Sequence, residues 1–201
     1  MNESNKKRTI HIVCIVNQKG GVGKTTTTIN LATAIASVGK KVLIVDFDAQ
    51  GNASTGLGVP LEQRSRSSYD LIVTGAKFSE VVVETKIPNL SIIPASNDLS
   101  STDIDLKDDQ DRALKFKGIV DKDDYVALNF DYIFVDCPPA LNLLTVNALV
   151  ASHSVLVPLQ AEFFALEGLS QLFLTVRKIR SSLNPSLKIQ GVLLTMYDKR
   201  N

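Results

Sequence analysis

One short stretch restricts the fold more than any other. It is Lys19-Gly20-Gly21-Val22-Gly23-Lys24-Thr25-Thr26, bracketed by an apolar run from Ile10 to Val16 and a helical pattern that ends near Gly39. Strand, glycine loop and helix, in that order, form the context that a phosphate-binding loop needs. Glycines let consecutive backbone N–H groups curl round an anion with no Cβ in the way. The helix N-terminus adds unpaired donors and partial positive charge. In such a loop Lys24 reaches the β- and γ-phosphates of a nucleotide and the Thr25 hydroxyl ligates Mg2+. The common pattern G-x-x-x-x-G-K-[ST] asks for glycine at position 18; this chain has Gln18 there, and a second lysine, Lys19, near the start of the loop. An ordinary strand-to-helix turn with stray lysines is disfavoured, because paired glycines rarely meet Lys-Thr at this spacing by accident.

Two further apolar runs end in carboxylates. Val42-Leu43-Ile44-Val45 leads into Asp46-Phe47-Asp48-Ala49-Gln50-Gly51-Asn52. Carboxylates two residues apart at a strand end can both face the crevice above a sheet, where open α/β folds bind ligands. Asp46 fits a turn-capping role, and Asp48 is the candidate for a place near the attacking water or the metal. Gln50, Gly51 and Asn52 have the polar, glycine-bearing character of a mobile switch segment. Tyr132-Ile133-Phe134-Val135-Asp136 has the form of a Walker B element, whose Asp helps to hold Mg2+. An apolar run before an Asp says little alone; downstream of a phosphate loop it says more.

The remaining pattern alternates strands and helices. Leu90–Ile93 before Pro94, Val155–Val157 before Pro158 and Ile189–Thr195 complete six strand candidates. Helices are expected over Thr25–Val38, around Ser68–Val73 and Phe78–Thr85, over Lys107–Asp124 as a charged amphipathic element, over Leu141–Val150 and over Leu166–Leu183. The alternation predicts an α/β fold of the three-layer P-loop NTPase kind, a mostly parallel sheet with helices on both faces.

Composition narrows the function class. The chain has 201 residues, 44% hydrophobic and 21% charged, with a formal net charge of +1, so there is no global polyelectrolyte signal for nucleic acid. Basic residues gather late, at Arg177, Lys178, Arg180, Lys188, Lys199 and Arg200, as a solvated face or as a patch for an acidic partner. Cys14 and Cys137 read as buried thiols, not a disulfide framework, and with two histidines they offer no metal-ligand spacing. Residues 1–9 are polar and basic and are expected to be a flexible tail, not a signal peptide. No apolar stretch is long enough to span a bilayer, and a cytoplasmic protein is expected.

Taken together, the run Asn17 to Thr26, the Asp46-x-Asp48-x-Gln50-Gly51-Asn52 segment, the Asp136-Cys137-Pro138-Pro139 turn and Val157-Pro158-x-Gln160 closely resemble the ParA/Soj chromosome- and plasmid-partitioning ATPases. These belong to the deviant Walker A group, with MinD and the nitrogenase iron protein as relatives. The resemblance implies an Mg2+-dependent ATPase with catalytic residues Lys19, Lys24 and Asp48. Lys19 would cross the interface of an ATP-sandwiched homodimer, Lys24 and Thr25 would hold phosphates and Mg2+, Asp48 would position the hydrolytic water, and Asp136 would support the metal. It further implies non-specific DNA binding, a nucleoid-associated location, and a ParB-type centromere-binding partner that stimulates hydrolysis, with no membrane partner. The family domain usually continues beyond Thr195-Met196-Tyr197-Asp198, so residues 10–201 are expected to lack its C-terminal part, which supplies adenine contacts, dimer-supporting helices and DNA-contacting residues. A MinD-like membrane-cycling regulator would need a C-terminal amphipathic helix. An iron–sulfur carrier would need paired cysteines where Cys137 stands alone. A remnant that no longer hydrolyses ATP is the remaining alternative.

Overall fold

A computed structural model describes residues 10–162 and 165–198. The tail expected at 1–9, and Lys199 and Arg200, lie outside them. The chain runs β1 (His11–Ile15), α1 (Lys24–Ser37), β2 (Val42–Asp46), α2 (Asn52–Gly56), α3 (Phe78–Val81), β3 (Val83–Glu84), β4 (Leu90–Ile93), α4 (Thr102–Asp105), α5 (Lys115–Lys122), α6 (Asp124–Asn129), β5 (Tyr132–Asp136), α7 (Leu143–Ala151), β6 (Ser154–Gln160), α8 (Ala165–Ser182) and β7 (Lys188–Thr195). Seven strands form one sheet in the order β3-β4-β2-β5-β1-β6-β7, and every pairing except β3 with β4 is parallel.

Apolar residues on both faces of the inner strands explain their continuous hydrophobic runs. Along β1, Ile12 and Cys14 join one core layer and Val13 and Ile15 the other, as the two-residue period of a strand requires. The first layer packs β-strand side chains against α7, α8 and Phe116 of α5; the second packs them against α1 and α2. Within α1 the buried positions are Lys24, Thr28, Ala32 and Ala36, a four-residue repeat down one stripe. Its two alanines let the helix lie close to the sheet, while Ile29 and Ile35 pack at its flanks. Gly39, with φ +84°, ends the helix and donates its N–H to the Ala36 carbonyl at 3.0 Å.

Two expectations are corrected and a third is borne out. The helix anticipated over Phe78–Thr85 stops at Val81, and Val83–Glu84 becomes an antiparallel edge strand on β4, raising six strands to seven. The helix anticipated over Lys107–Asp124 is broken. Asp109 turns the chain by accepting the Asp111 N–H at 2.8 Å, and Asp123 starts a new helix by capping Tyr125 N at 2.9 Å. Short acidic side chains compete with the helical ladder in this way. The segment expected around Ser68–Val73 is helical, with a wide π-type turn over Asp70–Thr74.

The site is positioned by the reversal of strand order. From β1 the chain crosses by α1 to β2, beyond β5; later it passes β1 on the other side to build β6 and β7. The carboxyl ends of β1, β2 and β5 therefore open onto one crevice, the place where such sheets bind ligands.

Candidate nucleotide-binding site

The loop between β1 and α1 is held from below. Asn17 is buried; its Nδ2 donates to the Pro158 carbonyl on β6 at 2.7 Å and its Oδ1 accepts the Lys19 N–H at 3.1 Å. Gly21 and Gly23 take φ of +74° and +86°, left-handed conformations that only glycine adopts without strain. Val22 tucks its side chain into the protein between them. Helix α1 then starts at Lys24 with no side-chain cap and no acidic residue in its first turn. Its first N–H groups are thus left for an anion.

Lys24 folds back across the loop and donates from Nζ to the Lys19 carbonyl at 2.9 Å. Burial lowers its pKa, and the charges of Asp136, then Asp48 and Cys137, work against that fall. This geometry fixes an ammonium in the mouth of the loop, where phosphate charge would be neutralised. Lys19 itself makes an ion pair with Glu162, and both side chains are close to half exposed.

Beneath the loop lie two carboxylates of different character. Asp46 and Asp136 are opposite each other in the β2–β5 register, and both are fully buried. Asp46 Oδ2 accepts the Ser54 N–H at 2.9 Å and the Ser54 hydroxyl at 2.7 Å, while Oδ1 accepts the Asp48 N–H at 3.2 Å. Burial raises its pKa to about 6 despite those bonds. Asp136 Oδ1 accepts the Thr28 hydroxyl at 3.0 Å, and Oδ2 has no hydrogen-bond partner. Burial first, and then the nearby Asp46, push its pKa to about 7, with the Thr25 and Thr28 hydroxyls acting in the opposite direction. An unpaired acceptor buried beside a threonine hydroxyl is costly in an isolated protein. It is suited to a hard divalent cation, which takes oxygen ligands and needs few from the protein when phosphates supply others. Among the described residues no cluster of three His, Cys, Asp or Glu offers an all-protein cage.

Asp48 sits half-buried at the rim. Its Oδ1 accepts the Gln50 N–H at 3.0 Å and its carbonyl accepts the Gly51 N–H at 2.8 Å. Its charge acts on both Lys24 and Asp136, so it faces the same crevice. The Gln50–Asn52 segment is tied into the fold: Gly51, at φ +62°, opens α2 beneath the Arg64 guanidinium. Arg64 in turn bonds the Val59 carbonyl at 2.7 Å and Thr55 Oγ1 at 2.9 Å. Cys14 and Cys137 touch at 3.3 Å as free, buried thiols, and burial raises the pKa of Cys137. That agrees with the reading of both as buried thiols outside any disulfide.

The structure thus gathers Lys19, Gly20 to Thr26, Asp48 and Asp136 around one crevice. It adds Asn17, Thr28, Ser54, Glu162 and Thr195, which sequence reasoning did not single out. Thr28 was within reach, since it lies four residues after Lys24 on the buried stripe. Ser54 meets Asp46 eight positions away, whereas Asn17, Glu162 and Thr195 find partners more than 140 positions away. Arg177, Lys178 and Arg180 lie exposed on α8, whose Leu172, Val176 and Ile179 face the core.

Fold and loop together define a P-loop nucleoside-triphosphatase. The AAA domain family matches residues 10–189. The chromosome partitioning protein ParA of Caulobacter vibrioides is 50% identical over 194 residues, covering 96% of this chain and 72% of that protein. The chromosome-partitioning ATPase Soj of Treponema pallidum is 50% identical over 185 residues, covering 92% and 71%. By these matches the chain belongs to the ParA/Soj family of partitioning ATPases. A solved structure of cobyrinic acid a,c-diamide synthase from Mycobacterium smegmatis, with a bound ATP analogue and magnesium, superposes with a TM-score of 0.90 at 34% identity, covering 96% of this chain and 75% of that one. A shared fold with an enzyme of another name is expected where function resides in grafted sites. Among the described residues no helix is long and apolar enough to cross a membrane.

Proposed function

We propose that this chain is a ParA-type ATPase that binds ATP with Mg2+ in the Lys19–Thr26 loop, dimerises around the nucleotide, and binds DNA non-specifically as that dimer. A ParB-type partner then accelerates hydrolysis and releases it, and the DNA-bound form is nucleoid-associated. The observation that carries this reading is the polar layer under the loop: Lys24 laid across its mouth and Asp136 with one buried acceptor open beside Thr25.

The chain's own groups divide the work. The loop amides and Lys24 would bind and orient the phosphates. Thr25 and Asp136 would hold the magnesium ion, which when bound supplies charge neutralisation. Asp48, on the rim, would orient the attacking water. Phosphoryl transfer needs little covalent help, so such positioning and neutralisation account for most of the catalysis. Lys19 is paired with Glu162 of its own chain; in the dimer it would leave that partner and reach the nucleotide held by the second copy. The site would then be complete only in the dimer, with ATP as the link and hydrolysis as the release step. The exposed Arg177, Lys178 and Arg180 on α8 are the proposed DNA-contacting residues.

Light scattering with ATP and Mg2+ tests the core of this reading. Wild type should double in mass, and Lys19→Ala should bind nucleotide yet remain monomeric. A normal ATP dimer of Lys19→Ala would remove the bridging role. Co-sedimentation with DNA in ATP, in ADP and without nucleotide should show binding in ATP alone; equal binding in all three would overturn the nucleotide-gated scheme.

A further inference from the structure

The phosphate loop is tied to the far edge of the sheet by one hydroxyl. Thr195, the last residue of β7, donates from Oγ1 to the Val22 carbonyl at 2.8 Å, across 173 positions of sequence. Its place is fixed by the ladder, since Thr195 is the register partner of Gln160 at the end of β6. The chain then bends sharply, with Met196 at φ +50°. A Cβ built on Gly23 would lie 3.5 Å from Thr195 Cγ2, so the threonine also packs against the outside of the loop crest.

Peptide planarity turns this contact into a statement about the anion site. The Val22 carbonyl and the Gly23 N–H belong to one peptide unit, and in a trans unit they point in opposite directions; the described chain contains no cis peptide. Holding the carbonyl on Thr195 therefore turns the Gly23 N–H to the opposite side, away from β7. Gly23, which bounds this peptide on its C-terminal side at φ +86°, has no Cβ to resist a flip there. A flip would present a carbonyl oxygen to the phosphates in place of a donor.

We infer that Thr195 is a positioning residue for nucleotide binding, its hydroxyl locking the Val22–Gly23 peptide in the anion-accepting orientation. The inference rests on the nucleotide-binding reading above and adds to it a residue from outside the loop. It also makes the end of β7 part of the site: whatever shifts that strand shifts the loop.

The test compares Thr195→Val with Thr195→Ser. Valine keeps the shape and the packing on Gly23 and removes the hydroxyl; serine keeps the hydroxyl and removes the methyl. Affinity is read by titrating the 201-residue chain with ADP and Mg2+, and with inorganic pyrophosphate, which has no adenosine. Thr195→Val should bind both ligands about tenfold more weakly, Thr195→Ser should match wild type, and melting without ligand should be alike in all three. Unchanged binding by Thr195→Val would overturn the inference and leave the nucleotide reading standing. So would weakened ADP binding with unchanged pyrophosphate binding. If Thr195→Val does not fold, Thr195→Ser decides, because a tenfold loss there would show that the methyl packing and not the hydroxyl matters. A wild type that binds neither ligand overturns both this inference and the function it rests on.

Discussion

Replacing Asp136 by asparagine should stabilise the nucleotide-free protein while abolishing its response to Mg2+ and ATP. The substitution is nearly isosteric. The Thr28 hydroxyl can still donate to the remaining oxygen, and the other carboxylate oxygen accepts no bond that would be lost. What disappears is a buried charge. A pKa raised from 3.8 to about 7 means that the folded state holds a proton which the unfolded state releases between those values. Stability therefore falls as pH rises through that window and is lowest above about pH 7. The full cost of ionising the group at pH 8 is about 4 kcal/mol. Part of it is returned, because Asp136 is the foremost of the charges that raise the pKa of Lys24, and the variant loses that support. A net gain of about 2 kcal/mol remains, which for 201 residues is about 5 °C in melting temperature. Thermal unfolding in EDTA at pH 8 and pH 5 reads it directly, with the gap more than halved at pH 5, where the wild-type group is protonated. Addition of Mg2+ and ATP should invert the order, since only the wild type gains from ligand binding. A variant that melts at or below wild type at pH 8 without ligand would refute the argument that Asp136 is held at the expense of stability.

Three other outcomes follow from the same geometry. Asp48→Ala should trap the ATP-bound dimer and lower turnover by two or more orders of magnitude, a loss typical of misplacing the reacting groups; wild-type turnover would remove Asp48 from catalysis. Neutralising Arg177, Lys178 and Arg180 together should flatten the dependence of DNA affinity on salt, because fewer counterions are released; an unchanged slope would place the DNA surface elsewhere. Gly51→Ala should cost about 1–2 kcal/mol, since φ there is +62° and the new Cβ would come within 2.5 Å of Arg64 Nη1, as denaturant titration would report.

The parts of the fold that were legible in the sequence are those dictated locally. β1, β2 and β5 are buried on both faces, so their apolar runs identify them without knowledge of their neighbours. The glycine loop and Gly39 announce themselves because positive φ restricts residue choice. β3 was not legible: Val83–Glu84 is too short for any period to show, and it is a strand only because β4 offers an edge to pair with. The Lys107–Asp124 segment has the periodicity of one helix. Asp109 and Asp123 nevertheless give the backbone nearer hydrogen-bond partners than the next turn would. The competition is between two local interactions of similar size, and periodicity cannot weigh them.

The site divides along the same line, and the division bears on how it works. Lys24, Thr25 and the loop glycines are contiguous, and Asp136 ends an apolar strand, so each is marked by its own neighbours in sequence. The residues that hold them are marked by nothing local. Asn17 acts through a β6 carbonyl 141 positions away, Thr195 through a loop carbonyl 173 positions away, and Glu162 through Lys19 at a separation of 143. These three contacts come from β6, from the turn that follows it, and from β7. The loop's chemistry is thus encoded in the first quarter of the chain, whereas its geometry is imposed by the last. Any event that moves the β6–β7 edge acts on the phosphate site without touching a residue of the motif itself.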